Sequence, residues 1–157
     1  MDETDELESD LRNAIAMDYR VYVLADDEYR HFEPLDAAAA YASYLFFLFL
    51  CAAAERVRKR LESEAKKAGV AAADKLINLA LSFVGLKPER VPTEKRRMGL
   101  QQARVAAMTL KGDWDEESAA AGEQAVAKRL VKDRFPEGLA KEKAATIGKI
   151  IRRRVLQ

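Results

Sequence analysis

The feature that most constrains the fold is an eighteen-residue stretch without a charged side chain, residues 37–54. Its second half, here called the apolar run, is apolar on every side of a helix and consists of Leu45, Phe46, Phe47, Leu48, Phe49 and Leu50. A helix on the surface of a soluble protein needs a polar face, and these six residues offer none. We therefore expect this helix to be enclosed by the rest of the chain, by a partner chain or by lipid.

The dimensions of the stretch do not decide between these covers. Eighteen helical residues span about 27 Å, slightly less than the hydrocarbon core of a bilayer, which is about 30 Å thick. Eight of the eighteen residues are Ala, which is nearly neutral for insertion, and each residue of the apolar run gains only about 0.3–0.6 kcal/mol. Insertion is therefore borderline. A buried helix in a soluble bundle is the preferred state, with a transmembrane helix and burial against a partner as alternatives.

Charge is distributed unevenly along the chain, although the net charge is only +1. Residues 1–36 carry twelve acids and three arginines, a net charge of −9, which leaves +10 for residues 37–157. An acidic head on a basic body predicts contact between the two, or a body that meets an anionic surface.

Length and cysteine content indicate a cytoplasmic globular protein. A chain of 157 residues, about half of them apolar, is expected to form one compact domain. The single cysteine, Cys51, excludes an intrachain disulfide, so an oxidising compartment is not implied. The first ten residues are acidic, the reverse of the basic start of a secretory signal. We predict a cytoplasmic location, with association at a membrane as the alternative.

Apolar residues recur with helical spacing through most of the chain, and the few glycines and prolines fall mostly between these runs. The predicted fold class is mainly α: a bundle of five to six helices around a central hydrophobic helical hairpin at 37–86. An acidic segment, 1–36, precedes the hairpin, and a basic three-helix region, 87–157, follows it. The predicted helices are 3–17, 37–67, 70–86, 94–110, 114–134 and 139–155, with Asp36 as an N-cap and Gly69 as the break within the hairpin.

Residues 19–32 allow two interpretations. The aromatic and β-branched run at 19–24 fits a short strand, which could pair with 29–32 in a small β-hairpin. The competing interpretation continues the first helix to about Leu24, because an isolated pair of strands is only marginally stable.

Motifs of known enzyme and metal sites are absent from the sequence. It has no GxGxxG after a strand, no GxxxxGK followed by Ser or Thr, no HExxH and no GxSxG. His31 is expected to be a loop side chain, and Cys51, among apolar neighbours, is expected to be inert packing. The acids at 113–117 fit a helix cap, with Asp113 as N-cap and Glu116 three residues on, better than a metal site. We predict no catalytic residue, no metal and no cofactor.

Two groups of cations are candidate binding residues beside the apolar run. The first is the basic cluster Arg56, Arg58, Lys59 and Arg60; the second is the C-terminal group Lys149, Arg152, Arg153 and Arg154. Both fit an anionic surface, and the second also fits contact with the acidic head. Nucleic-acid binding through the basic C-terminal helices is the least favoured alternative, because acids are interspersed and no aromatic platform lies near.

An apolar hairpin sheathed by amphipathic helices resembles, in layout alone, the pore-forming colicins and Bcl-2-like proteins. The leading hypothesis is a non-enzymatic protein, for example a bacterial conflict or cell-death effector, whose hairpin mediates membrane insertion or oligomerisation. The apolar run would be the buried part, the basic cluster would meet anionic head groups, and the acidic head would mask the body until release. The alternative is a soluble adaptor or assembly subunit with the apolar helix in its core. The expected partners are a second copy, another protein or an anionic membrane.

Overall fold

The computed structural model describes residues 2–23 and 34–157. Over these ranges the chain forms six α-helices and no strand. They are α1 (Glu3–Tyr22), α2 (Pro34–Ser63), α3 (Lys67–Val84), α4 (Thr93–Met108), α5 (Glu116–Lys132) and α6 (Glu137–Ile151). A 3-10 turn at Pro88–Arg90 lies between α3 and α4, and a π-helical turn at Arg152–Leu156 extends α6. For this part of the chain, the prediction of a mainly α bundle is confirmed.

The apolar helix α2 is the centre of the bundle. It contacts each of the other five helices, and α1, α3 and α5 cover most of it. Every side chain from residue 37 to residue 47 is buried, and within the apolar run only Leu48 is half-buried. A helix that is apolar all round is stable in water only when it is enclosed, and here its own chain encloses it.

Length and composition would also allow α2 to cross a bilayer. Within the described ranges it is the one helix that is long and apolar enough: Ala37–Ser63 has a mean hydropathy of 1.8 over its most apolar window. Of that window, 83% is buried inside the protein. The core helix of a soluble protein has the same properties, so this measure alone fits either interpretation.

The first helix extends further than its predicted end and includes residues predicted as a strand. Its buried apolar side chains recur at every fourth position and are Leu7, Leu11, Ile15 and Tyr19. Because this spacing places them on one face, packing holds Tyr19 in a helix despite the strand propensity of its neighbours. The predicted β-hairpin is therefore wrong over Tyr19 to Tyr22, and the helical interpretation holds there. The second predicted strand, 29–32, and His31 lie outside the described residues.

The turn between α2 and α3 lies earlier than predicted. Residues 64–66 form it, and Ala65 takes the left-handed conformation, with φ of 58°. Gly69, the predicted break, lies inside α3, where a Cβ would stand 2.6 Å from Cδ1 of Leu61. This glycine therefore serves the close contact between the two helices of the hairpin. Asp36, the predicted N-cap, lies within α2, because the helix begins at Pro34, a residue suited to the first helical position.

The acids before α5 form a cap, but two residues later than predicted. Asp115 is the N-cap: its Oδ1 accepts a hydrogen bond of 2.8 Å from the Ser118 amide, and its own amide donates to Oγ of Ser118 at 3.0 Å. The predicted box of Asp113 and Glu116 is therefore wrong in register. The structural role assigned to these acids is confirmed.

Candidate functional site: the apolar helix and its covers

The apolar run packs through its aromatic rings. The rings of Phe46 and Phe47 meet edge to face, with centroids 5.7 Å apart. On its other side Phe47 stacks on Phe83 of α3, with centroids 4.4 Å apart and planes 9° from parallel. The hairpin of α2 and α3 is therefore joined by a specific ring contact as well as by general apolar burial.

Two glycines in the middle of neighbouring helices receive rings of the hairpin. At Gly122 of α5, a Cβ would stand 2.7 Å from the ring of Phe49. At Gly99 of α4, a Cβ would overlap the ring of Phe83. Glycine inside a helix is less favourable than alanine by about 0.5–1 kcal/mol. Both positions therefore gain close packing at a cost in local helix stability.

Four polar side chains form a network between the first half of α2 and α5. The Tyr41 hydroxyl donates a 2.6 Å hydrogen bond to Oδ2 of Asp133, and Nε of Arg129 donates to the same oxygen at 2.9 Å. Arg129 also donates from Nη1 to the hydroxyl of Tyr44 at 3.0 Å, and its guanidinium lies 4.9 Å from the centre of that ring. The two tyrosine hydroxyls in the charge-free stretch are thus satisfied from within the chain.

Burial changes the acid–base behaviour of groups on α2. Burial, and then the hydrogen bond to Asp133, raise the pKa of Tyr41 far above its ordinary value of 10.0. Burial also raises the pKa of Tyr44 and of the Cys51 thiol, which lies half-buried on α2. A raised thiol pKa disfavours the reactive thiolate, in accord with Cys51 as a packing residue.

The basic cluster after the apolar run is mostly paired within the chain. Arg56 contacts Glu117 at 3.2 Å, and Arg58 contacts Glu62 at 3.0 Å and also pairs with Asp74. Arg60 pairs with the Asp115 carboxylate and donates to the backbone carbonyl of Asp113. Burial alone would raise the pKa of Asp115, but hydrogen bonds from Ser118 and the charge of Arg60 lower it.

Lys59 differs from the rest of the cluster because it is exposed and makes no ion pair with any residue that the structure describes. The cluster thus joins the basic end of α2 to α3 and to the start of α5. Its three arginines are not a free cationic surface.

The C-terminal basic group is divided between two acidic neighbours. Arg152 pairs with Glu116 and Glu123 of α5. Arg153 and Arg154 pair with Asp10 of α1, and Arg154 also contacts Glu6 at 3.0 Å. Lys149 is exposed and has no ion-pair partner in the described ranges.

Further ion pairs attach α1 to other parts of the body. Arg104 and Arg97 of α4 pair with Glu3 and Asp5, and Lys143 of α6 contacts Asp18 at 3.0 Å. Cations of α4, α6 and the π-helical turn therefore hold the acidic α1 over α2. Of the two consequences expected from the uneven charge, contact between head and body is confirmed for α1.

One buried charge was not recognised in the sequence. Arg96 of α4 is 5% exposed, and its Nη2 lies 3.8 Å from Oε1 of Glu8 on α1. Nε of Arg96 and Oε2 of Glu8 are buried without a hydrogen-bond partner in the structure. A long ion pair with unsatisfied atoms at a helix interface is costly to bury, so this contact is a weak point in the attachment of α1.

The described residues offer no group of three or more His, Cys, Asp or Glu side chains that could hold a metal ion. Trp114 is half-buried, and its Nε1 donates a 2.9 Å hydrogen bond to the carbonyl of Ala107. That contact anchors the segment before α5 to α4. The side-chain contacts described above are thus packing contacts, hydrogen bonds and ion pairs.

No protein-family model, no curated protein and no solved structure matches the chain.

Proposed function

We propose that the protein is a non-enzymatic, cytoplasmic adaptor or assembly subunit in which α2 is a permanent core helix and the surface binds partners. The observation that carries this proposal is the pair of ring–glycine contacts, Phe49 with Gly122 and Phe83 with Gly99. The first contact joins α2 to α5 and the second joins α3 to α4, so a hairpin of α2 and α3 that left the core to enter a bilayer would lose both. Each glycine costs its helix about 0.5–1 kcal/mol, and that cost is offset only while the ring is seated.

The tyrosine network supports the same proposal. Moving α2 away from α5 would separate Tyr41 and Tyr44 from Asp133 and Arg129. In hydrocarbon, these hydroxyls would lose hydrogen bonds worth about 1–3 kcal/mol each. A helix that is buried permanently has no such cost, because its polar groups keep their partners.

Native-state hydrogen exchange tests the permanence of this core. We expect the amides of the apolar run to exchange only through global unfolding, with the same opening free energy as the buried centre of α5 around Val126. Opening of α1 and α2 together, at a free energy clearly below the global value, would contradict the proposal. Sedimentation without detergent should also show a single species of defined mass.

A second candidate function is conversion to a membrane-bound or oligomeric form after α1 is released. The observation that favours it is the attachment of α1 by ion pairs, several of them partly exposed, to α4, α6 and the π-helical turn. Such pairs weaken with salt and with acid, so α1 is the cover that separates most readily. Released α1 would uncover the face of α2 that it now contacts, including Tyr41, whose ring lies 5.1 Å from that of Tyr19.

Flotation with anionic vesicles separates the two functions. A permanent core predicts that the protein stays in the soluble fraction at low salt and mildly acidic pH. Conversion predicts that it floats with anionic vesicles and not with neutral ones, and that a Phe47→Asp variant floats less. Flotation of the wild-type protein under these conditions would replace the first function by the second.

A further inference from the structure

An open groove lies between α3 and α4, and none of the α4 arginines that pair with α1 lines it. Its volume is about 730 Å³, and Ala72 and Leu79 of α3 face Val105 and Ala106 of α4 across it. One charged side chain, Lys75, lines it together with three uncharged polar residues. Pockets of this volume with an apolar lining and few polar groups are typical of binding sites.

Exposed apolar side chains continue the groove along α4. Val105 is 53% exposed, Met98 is 60% exposed and Met108 is 44% exposed. Met98 and Val105 are seven residues apart, two helical turns, and Met108 follows one turn later, so the three lie on one side of the helix. Exposed apolar residues grouped in this way mark interaction surfaces, and methionine adapts readily to the shape of a partner.

The charge left on this face is positive. α3 and α4 contain one acid each, Asp74 and Glu94, and Asp74 pairs with Arg58 of α2. Lys67, Lys75 and Lys95 have no ion pair with any described residue, and neither has the acid Glu94. The arginines of α4 all pair with acids of α1. Three unpaired lysines against one unpaired acid leave the two helices with a positive charge, and Lys75 is the charged residue that lines the groove. The groove therefore suits an acidic partner.

The shape of the surface selects a helix over a lipid bilayer. A bilayer would meet a convex or flat face, whereas this face is concave. Its lining runs from residue 72 to 79 and from 101 to 109, which is about 12 Å or two helical turns. A helix placed in a groove of this length inserts apolar side chains at positions i, i+4 and i+7.

The protein already binds one helix of this kind. α1 is an acidic amphipathic helix whose Leu7 and Leu11 are buried, while Glu3 and Asp5 pair with Arg104 and Arg97 of α4. We propose that the groove between α3 and α4 binds an acidic amphipathic helix of a partner protein. This inference rests on the proposed function, since it names the partner of an adaptor.

A designed peptide tests the inference directly. The probe is a fluorescent helical peptide of about fourteen residues with Leu at i, i+4 and i+7 and Glu on its other faces. The control peptide has the same sequence with Lys in place of every Glu. Fluorescence anisotropy at low salt should show saturable binding of the acidic peptide and none of the basic one.

Variants locate the binding. Val105→Glu and Lys75→Glu should each weaken binding by about tenfold or more. Val131→Glu on α5 is the matched control, because Val131 is 46% exposed, like Val105, and lies outside the groove. It should leave binding unchanged, and circular dichroism should show all three variants folded.

Three results would overturn the inference: no saturable binding of the acidic peptide, equal binding of the basic peptide, or equal loss in Val131→Glu. Dimers of the wild-type chain that Val105→Glu disrupts would assign the groove to a second copy instead. If the acidic peptide does not bind while the amides of the apolar run remain protected from exchange, only this inference fails. If those amides open with α1, the proposed function itself fails.

Discussion

The ring of Phe49 occupies the space that a Cβ of Gly122 would need, at a distance of 2.7 Å. The two residues come from α2 and α5, 73 positions apart in sequence. Glycine is unfavourable in the middle of a helix, so its presence here makes sense only as part of this contact. The apolar helix is thus fitted to its neighbours, side chain by side chain.

Gly122→Ala should destabilise the protein. The added methyl group would force the Phe49 ring out of its place, at a cost of about 1–3 kcal/mol. Gly138→Ala is the control, because a Cβ at Gly138 of α6 meets no atom within 4 Å. That exchange should raise the free energy of unfolding by about 0.4–1 kcal/mol. Urea unfolding measures both, and a neutral Gly122→Ala would contradict the close fit.

The raised pKa of Tyr41 predicts a loss of stability in alkali. In the unfolded chain Tyr41 ionises near its ordinary pKa of 10.0, and in the folded protein it ionises well above that value. Its contribution is therefore intact below pH 10 and falls as the pH rises toward the folded pKa, because the unfolded state loses its proton first.

Tyr41→Phe should make the decline in unfolding free energy above pH 10 less steep, and it should cost about 1–3 kcal/mol at neutral pH through the lost hydrogen bond to the Asp133 carboxylate. Tyr22→Phe is the control, since the Tyr22 hydroxyl makes no hydrogen bond to a described residue. If the unfolding free energy fell equally steeply above pH 10 in Tyr41→Phe and in the wild-type protein, the raised pKa of Tyr41 would not be the cause of the decline.

Salt should loosen α1 more than the other helices. The ion pairs that hold α1 are partly exposed, and such pairs contribute about 0.2–1 kcal/mol each and are screened by salt. Arg154 contacts both Glu6 and Asp10, so Arg154→Ala should lower the opening free energy of α1 by about 1 kcal/mol, close to fivefold in the opening equilibrium. Hydrogen exchange measures this, with Lys149→Ala as the control. Equal effects of the two variants would rule out an electrostatic attachment.

Removing one charge of the buried pair Glu8 and Arg96 should destabilise the protein, whereas removing both charges should not. Glu8→Leu alone leaves the Arg96 guanidinium buried without a counter-charge and should cost about 3 kcal/mol. Glu8→Leu combined with Arg96→Met removes both charges and should restore or exceed the wild-type stability. Thermal or urea unfolding of the cycle checks this, and additive losses would show that the two residues do not act as a pair.

The helical class and the enclosure of α2 could be predicted from sequence, because both follow from local periodicity. The apolar run offers no polar side in a helix, and its burial in the structure follows from that fact alone. The attachment of an acidic head to a basic body could also be predicted, since opposite charges attract whatever the detailed geometry.

The boundaries of the helices and the packing partners of individual residues could not be predicted in the same way. Tyr19 has strand propensity, but its place one turn after Ile15 on a buried face decides its structure. Gly69 resembled a helix break, whereas its role is to let Leu61 approach closely. In both cases packing between two helices overrides the local signal.

Arg96 did leave a signal in the sequence. Extending the inward row of α4, Leu100, Ala103 and Ala107, by one turn toward its start reaches position 96. A charge on that row predicts a buried cation and therefore a buried partner, although not which acid supplies it. The groove between α3 and α4 left no signal in the sequence, because it depends on the distance between two helices.

The contact of Arg154 with Glu6 and Asp10 has a consequence for synthesis on the ribosome. The synthesis of α2 ends at Ser63, 91 residues before Arg154, an interval of about 5–20 s at ordinary translation rates. During that time the most apolar helix of the protein lacks several of its covers. We expect nascent chains to need a chaperone until the last helix emerges.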